Sequence, residues 1–359
     1  MSKSLRRGWT TGACATAATK AACTALLTGI FPDPVRIVLP RGHTPAFALS
    51  QTSLTATEAM AAIVKDAGDD PDVTHGATVR ATVRLGPPGS GVTFRAGPGV
   101  GVVTKPGLPL PVGEPAINPV PRRLIRDVVA EAGGSDVIVE ISVDDGEELA
   151  RHTWNQRLGI LGGLSILGTT GVVVPYSCSA WIDSIRRGID VARAAGHTHV
   201  AACTGSTSEK AATSLYGLPE DALLDMGDFA GAVLKYLRRH PIPRLTIAGG
   251  FAKLSKLADG HLDLHSGRSQ VNLDSLARRA GGHLAGRIAT ANTALEALQL
   301  ALAAGVPLAD HVADAAREVA AGVLGDAPVE VDVVVIDRAG EPVGRAPRST
   351  DGCPESPPR

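Results

Sequence analysis

Apolar and polar positions follow two different rhythms along this chain. In the first part, ATVRATVRL (77–85) and DVIVEISV (136–143) place apolar residues at every second position, the period of a strand with one covered face. VRIVLP (35–40) and AFALS (46–50) read as a strand pair, and GVTFRA (91–96) as another strand after a Gly/Pro turn. Residues 10–28 form a helix with Thr10 or Thr11 as N-cap and Gly29 as stop, and residues 121–133 form a second. Residues 97–121 carry too much proline and glycine for regular structure. Strands with few helices, up to about residue 150, predict an α+β layout.

Beyond that point strands and helices alternate. GVVVP (171–175) is expected as a short buried strand, 178–196 as a helix and THVAACTG (198–205) as a strand. Helices follow over 208–217 and 228–240, with the strand RLTIAGG (244–250) after them. This order predicts a mainly parallel sheet flanked by helices. Residues 284–324 are Ala-rich and helical, and 328–340 form a last strand, expected to return to the first domain's sheet.

Composition narrows the function. The 359 residues hold 35 Lys and Arg against 36 Asp and Glu, a net charge of -1, without the basic excess of a nucleic-acid or membrane-surface binder. Aromatic residues make up only 3%, so the core must rest on Val, Leu, Ile and Ala. The five cysteines are widely spaced and form no CxxC pair, which predicts a reduced, cytoplasmic chain without a zinc site. Arg6 and Arg7 ahead of an Ala-rich run raise the question of an export signal. Six threonines and Lys20 break that run, however, and it lacks the continuous apolar stretch that export requires.

Several segments have side chains suited to chemistry. In THVAACTGSTSEKAA a strand enters a Gly/Ser/Thr turn and then a helix, a geometry that aims backbone N–H groups beyond the strand's carboxyl end. It matches neither a Walker A sequence nor GxGxxG. The Gly-rich run 155–175 fits equally a set of tight turns with close packing and a backbone-lined wall for a flat ligand. KDAGDDPDVTHG (65–76) collects Lys65, Asp66, Asp69, Asp70, Asp72 and His75 without EF-hand spacing; a solvated turn, a magnesium site and a ligand-orienting turn all fit. Asn118, Arg122 and Arg123 stand where a helix begins, as caps or as an anion site. Lys253, Lys256, His261 and His265 follow a strand; Gly260 and Gly267 bracket the histidines, so a loop is expected there and not a metal-binding helix face.

Taken in order, TTGACATAATKAA, KDAGDDPDVT, GVGVVTKPGL, PVGEPAINPVPR, NQRLGILGGLSILGTTGVVVP and AKLSKLADG resemble the CbiD family, the cobalt-precorrin-5B C(1)-methyltransferases of anaerobic-type cobalamin biosynthesis. The resemblance spans roughly residues 5 to 300 and departs at Gln156, where proline is common. It implies transfer of a methyl from S-adenosylmethionine to carbon 1 of a cobalt-bearing tetrapyrrole, giving cobalt-precorrin-6A. The cobalt arrives with the substrate, and no protein metal site is implied. It also implies an α+β domain with an inserted α/β domain. The expected division is 1–150 plus about 326–345 for the tetrapyrrole, 151–325 for the methyl donor, and a disordered tail over 346–359.

On that reading Thr10, Thr11, Gly12, Lys65, Asn118 and Arg122 are expected to hold the anionic tetrapyrrole. Asp69, Asp70 and Asp72 are expected to orient the ring or accept a proton. Gly162, Gly163, Thr169, Thr170, Gly205, Ser206 and Glu209 are expected to take the donor, with Glu209 on its ribose hydroxyls. Homo-oligomerisation and passing contacts with other enzymes of the pathway stay open. So do two other classes: a tetrapyrrole carrier without catalysis, and a nucleotide-dependent enzyme using the Gly205 turn for phosphate.

Overall fold

The computed structural model describes residues 5–347. The chain forms two consecutive compact units, Met1–Ser179 and Ala180–Arg359.

The first unit is built around helix α1, Thr11–Thr28. Thr10 caps it by accepting from the Ala13 amide at 3.2 Å, and Gly29 ends it in the left-handed conformation at φ 80°. Alanines and small polar residues make up almost the whole helix, so neighbours can approach it on most sides. Ala13, Ala17, Ala18, Ala21, Ala22 and Cys23 are fully buried. Thr16 and Thr19 are buried too, each donating its hydroxyl to the carbonyl four residues earlier, at 2.7 and 2.8 Å. Lys20 reaches the edge, where it meets the Arg36 carbonyl and Glu131.

Helix α1 packs on a five-stranded sheet of β1 (Gln51–Leu54), β2 (Glu58–Val64), β3 (Thr78–Leu85), β4 (Val92–Ala96) and β5 (Val137–Val143), in the order β1-β2-β3-β5-β4. Only β4 and β5 pair in parallel. The alternation seen in sequence sets which face is covered: Val79, Ala81 and Val83 on β3 and Val139 and Ile141 on β5 share the core with α1. Helix α2 (Pro119–Glu131) adds Ile125, Val128 and Val129. The expected strands 35–40 and 46–50 shrink to the short pair Val35–Arg36 with Ala46–Phe47.

The second unit begins with α3 (Ser179–Ala194), at the unit boundary. It continues through β6 (His199–Cys203), α4 (Ser206–Tyr216), β7 (Leu223–Asp225), α5 (Ala230–Leu237), β8 (Arg244–Gly250), α6 (Phe251–Ala258), α7 (Leu273–Ala280), α8 (Ala294–Ala303), α9 (Leu308–Leu324), β9 (Glu330–Ile336) and β10 (Pro342–Ala346). The sheet order is β7-β6-β8-β9-β10, parallel except for β10. Such a sheet is covered on both faces, so β8 and β9 are buried along most of their length, and the polar pair they carry is satisfied internally, Thr246 donating to Asp332 at 2.9 Å.

Three expectations are corrected here. Residues 328–340 do not return to the first sheet: β9 pairs along its whole length with β8, from Arg244↔Glu330 to Gly250↔Ile336. Strand β8 offers a buried parallel edge that an apolar strand can cover, so the α/β unit is complete in itself and is not an insertion. The units also divide at residues 179–180 instead of 150–151. The reason is visible at 171–175: Val172 and Val173 pair antiparallel with Trp9 and Gly8, tying that segment to the first unit. Finally, the expected disordered tail begins too early, because Ala346 is buried and paired with Val333. Residues 348–359 of that tail lie outside the described residues.

Candidate functional site

The turn 65–76 folds back on residues 6–9. Gly8 lies so close to Ala67, and Gly68 to the Arg6 carbonyl, that a Cβ on either glycine would overlap backbone. Each carboxylate in the turn has a protein partner. Asp66 pairs with both terminal nitrogens of Arg6 and accepts from the Gly68 amide, and these contacts hold its carboxyl down at about 2. Asp69 accepts from the Arg6 amide at 2.6 Å, and Asp70 from the Tyr176 amide at 2.7 Å. Asp72 lies 2.6 Å from the Lys65 ammonium and takes both the amide and the hydroxyl of Thr74. Burial works to raise the Asp72 carboxyl, but Lys65 and Thr74 outweigh it and hold it below its ordinary range. His75 Nδ1 accepts from the Ala67 amide, which leaves the ring proton on Nε2.

The expected tetrapyrrole ligands are similarly engaged. Thr10 serves as the cap, the Gly12 amide donates to the Leu167 carbonyl at 2.8 Å, and the Thr11 hydroxyl is 3.4 Å from the same carbonyl. Lys65 is only 1% exposed. Arg122 donates to the Ile117 and Pro115 carbonyls, pairs with Glu114 and lies over Phe94. Asn118 is the N-cap residue of α2 and is partly exposed, and Arg123 beside Arg122 is exposed.

In the Gly-rich run, packing accounts for the glycines. A Cβ on Gly163 would lie 2.3 Å from the Gly99 carbonyl, and one on Gly168 2.2 Å from the Thr10 hydroxyl. Gly162 takes a left-handed turn at φ 84°. Thr169 is exposed, and the Thr170 hydroxyl donates to the Val172 carbonyl at 3.2 Å. These four expected donor residues belong to the first unit, whereas Gly205, Ser206 and Glu209 belong to the second.

Within the second unit the strand order creates a crevice that sequence alone does not reveal. From β6 the chain crosses to β7 on one side, then returns to β8 on the other, so connections leave the β6 and β8 carboxyl ends in opposite directions. Open α/β sheets bind ligands at that switch point. Here it is formed by Thr204 and Gly205 after β6 and by Gly249 and Gly250 closing β8. Ser208 braces the first turn, its hydroxyl accepting from the Gly205 amide at 3.1 Å and donating to the Gly205 carbonyl at 2.7 Å. Ser206 is exposed and Glu209 is buried.

Gly205 and Gly250 are informative because the fold does not require them. Neither has a left-handed φ, and a Cβ added at either meets nothing within 4 Å among the described residues. Glycine at both strand ends leaves backbone open to close approach from the crevice side. Lys253 spans the crevice, donating to the Thr204 carbonyl at 3.0 Å and lying 3.1 Å from Asp228. Trp181 walls the side beyond β7, its indole donating to the Asp225 carbonyl. Sequence reading missed Asp228, Gly250 and Trp181 as site residues. Asp228 lies in the run LLDMGD, whose strand, Leu223–Asp225, is too short to stand out, and Gly250 lies in the glycine pair just ahead of the Lys253 segment.

His261 and His265 lie in irregular backbone, as expected for a loop. Among the described residues no group of three or more His, Cys, Asp and Glu is placed to hold a metal, and no helix is long and apolar enough to cross a membrane.

The fold defines a two-unit protein of mixed helix and sheet whose second unit is a doubly wound, mainly parallel sheet with its switch point between β6 and β8. The chain belongs to the CbiD family: the CbiD family model matches residues 1–175, and the model for the CbiD C-terminal domain matches residues 263–347. It is 63% identical to a cobalt-precorrin-5B C(1)-methyltransferase of Rhodospirillum rubrum over 95% of this chain and 97% of that protein. Proteins of the same name from Brucella anthropi and Paramagnetospirillum magneticum are each 62% identical, over 95% and 96% of this chain and 95% and 99% of theirs. A crystal structure of a cobalamin biosynthesis protein (CbiD) from Archaeoglobus fulgidus is 28% identical, covering 69% of this chain and 77% of that one, with a TM-score of 0.38.

Proposed function

We propose that this protein methylates carbon 1 of cobalt-precorrin-5B with S-adenosylmethionine, giving cobalt-precorrin-6A. The observation that carries the reading is 63% identity to a protein of that name over nearly the full length of both chains. Cobalt belongs to the substrate.

The second unit is the proposed donor site. S-adenosylmethionine, when bound, supplies a methyl that leaves its sulfur without the bonding electrons, the ring carbon providing the new pair. Two features of the crevice fit such a ligand: the open cradle over Gly205 and Gly250, and the Asp228 Oδ1 atom, which is buried with no hydrogen bond among the described residues. The chain's task is then positioning: the Gly205 turn and the β8 end hold the donor close to backbone, Ser206 stands at its exposed rim, and Glu209 remains the proposed ribose partner.

The first unit is the proposed tetrapyrrole site. Its helix starts at Thr10–Gly12 and at Asn118 remain the proposed substrate edges, and exposed Arg123 is the proposed partner for a ring carboxylate. Lys65 and Arg122 support that surface from beneath. Asp69 and Asp70, each holding one backbone amide, keep capacity to accept a further hydrogen bond from the ring, while Asp72 is proposed to act through Lys65.

Incubation of the purified protein with cobalt-precorrin-5B and methyl-labelled S-adenosylmethionine tests the reading. One labelled methyl should appear in the tetrapyrrole, read by product mass. Tight tetrapyrrole binding with no label transferred would instead establish a carrier.

A further inference from the structure

Lys253 lies at the start of α6, just past Gly250, and its ammonium reaches back to the end of β6. Asp228 comes from the turn after β7, so one charged pair joins the ends of three strands. The pair is unevenly satisfied. Lys253 donates to the Thr204 carbonyl, whereas Asp228 Oδ1, 3.1 Å from the ammonium, lies outside hydrogen-bond geometry and takes no other donor among the described residues. The two side chains are 37% and 24% exposed, while Asp228 Oδ1 itself is closed to solvent, so a ligand group reaches it by exchange with the neighbouring Lys253 ammonium.

We propose that Lys253 and Asp228 bind the aminoacyl end of the methyl donor, Lys253 taking its α-carboxylate and Asp228 Oδ1 its α-ammonium. This rests on the crevice being the donor site. A zwitterion carries both charges on one carbon, and the Lys253–Asp228 pair offers both complements at one place. Without ligand the two charges neutralise each other. Exchange for the zwitterion keeps the local net charge unchanged, and it gives Asp228 Oδ1 the hydrogen bond it lacks. The same pair discriminates. A nucleoside polyphosphate would set phosphate against the Asp228 carboxylate, so the site favours a nucleoside with an amino-acid arm over a nucleotide.

The test is titration calorimetry on the full chain with S-adenosylhomocysteine and 5′-methylthioadenosine, which share the nucleoside but differ in the aminoacyl arm. Lys253→Met and Asp228→Asn should each weaken S-adenosylhomocysteine by about tenfold or more, the value of a lost charge-assisted hydrogen bond. Both should leave 5′-methylthioadenosine within about twofold, well under one such bond. Asp228→Asn is isosteric and keeps the inference testable should Lys253→Met unfold, which a thermal melt would reveal. If wild type binds S-adenosylhomocysteine and the folded variants lose nothing, or lose affinity for both ligands alike, the pair does not read the arm. If wild type binds neither ligand, the crevice is not the donor site and the inference falls with it.

Discussion

Lys65 Nζ lies 2.6 Å from Asp72 Oδ2, with the lysine side chain 1% exposed and the aspartate 25%. The ammonium is therefore the member that depends on the pair, because the carboxylate can still be hydrated. Asp72→Asn should cost about 3 kcal/mol by stranding a buried charge. Lys65→Met removes that charge altogether and should cost about 1 kcal/mol, leaving Asp72 to water. Urea unfolding of the two variants gives the order; a larger loss in Lys65→Met would contradict it.

Acid should weaken the first unit through the same turn. Asp66 and Asp72 are both held below the ordinary aspartate value, Asp66 at about 2. A depressed folded-state pKa stabilises above the unfolded value, about 3.9, and that stability is lost as pH falls through the folded one. Stability measured from pH 5 downward should thus decline between about 4 and 2. Asp66→Asn should flatten part of that slope while lowering stability at neutral pH. An unchanged slope would show that Asp66 titrates alike folded and unfolded.

Three glycine-to-alanine changes separate packing from binding. Gly163→Ala should destabilise by about 1–3 kcal/mol, because its Cβ would overlap Gly99. Gly205→Ala and Gly250→Ala should stay within about 0.5 kcal/mol of wild type, having open space. Those two should nonetheless lose S-adenosylhomocysteine affinity by calorimetry, since the methyl fills the cradle. Unchanged affinity in both would move the donor elsewhere.

The neighbouring arginines should part in the same way. Arg122→Ala removes two carbonyl partners, the Glu114 ion pair and the Phe94 stack, and should cost about 2 kcal/mol in thermal or urea unfolding. Arg123→Ala should leave stability within about 0.5 kcal/mol and raise the KM for the cobalt precursor. Equal KM in wild type and Arg123→Ala would remove Arg123 from the substrate surface.

At the start of α1, Thr10→Ala should cost about 1 kcal/mol for the lost cap, visible in the melting temperature. Thr10→Ser keeps the oxygen and should restore most of it.

Local pattern was enough for much of this protein. The residues around α1 determined its cap, its stop and its close packing, because cap chemistry and side-chain size act within a few positions. Alternation in 77–85 and 136–143 likewise determined two core strands of the first sheet, and the strand–helix rhythm after residue 178 determined a parallel, helix-covered sheet. The order of motifs, from TTGACATAATKAA to AKLSKLADG, was sufficient to assign the family.

Only the tertiary structure decided which strands are neighbours and which charges are already satisfied. The run 328–340 is apolar enough for either sheet, and pairing with β8 places it in the second. Arg122 and Arg123 read alike in sequence, yet among the described residues the fold of the preceding loop and the Phe94 ring engage Arg122 and leave Arg123 exposed. The carboxylates of 65–76 read as a candidate ligand set, but Arg6, Lys65, Thr74 and Tyr176 occupy them across as many as 106 positions of chain. The crevice between β6 and β8 is the clearest case. Gly205, Asp228 and the Gly250–Lys253 stretch come from three connections, and strand order brings them together. Sequence pattern reports what a residue does to its neighbours in the chain. A binding site depends on neighbours in space, and chain crossover sets those.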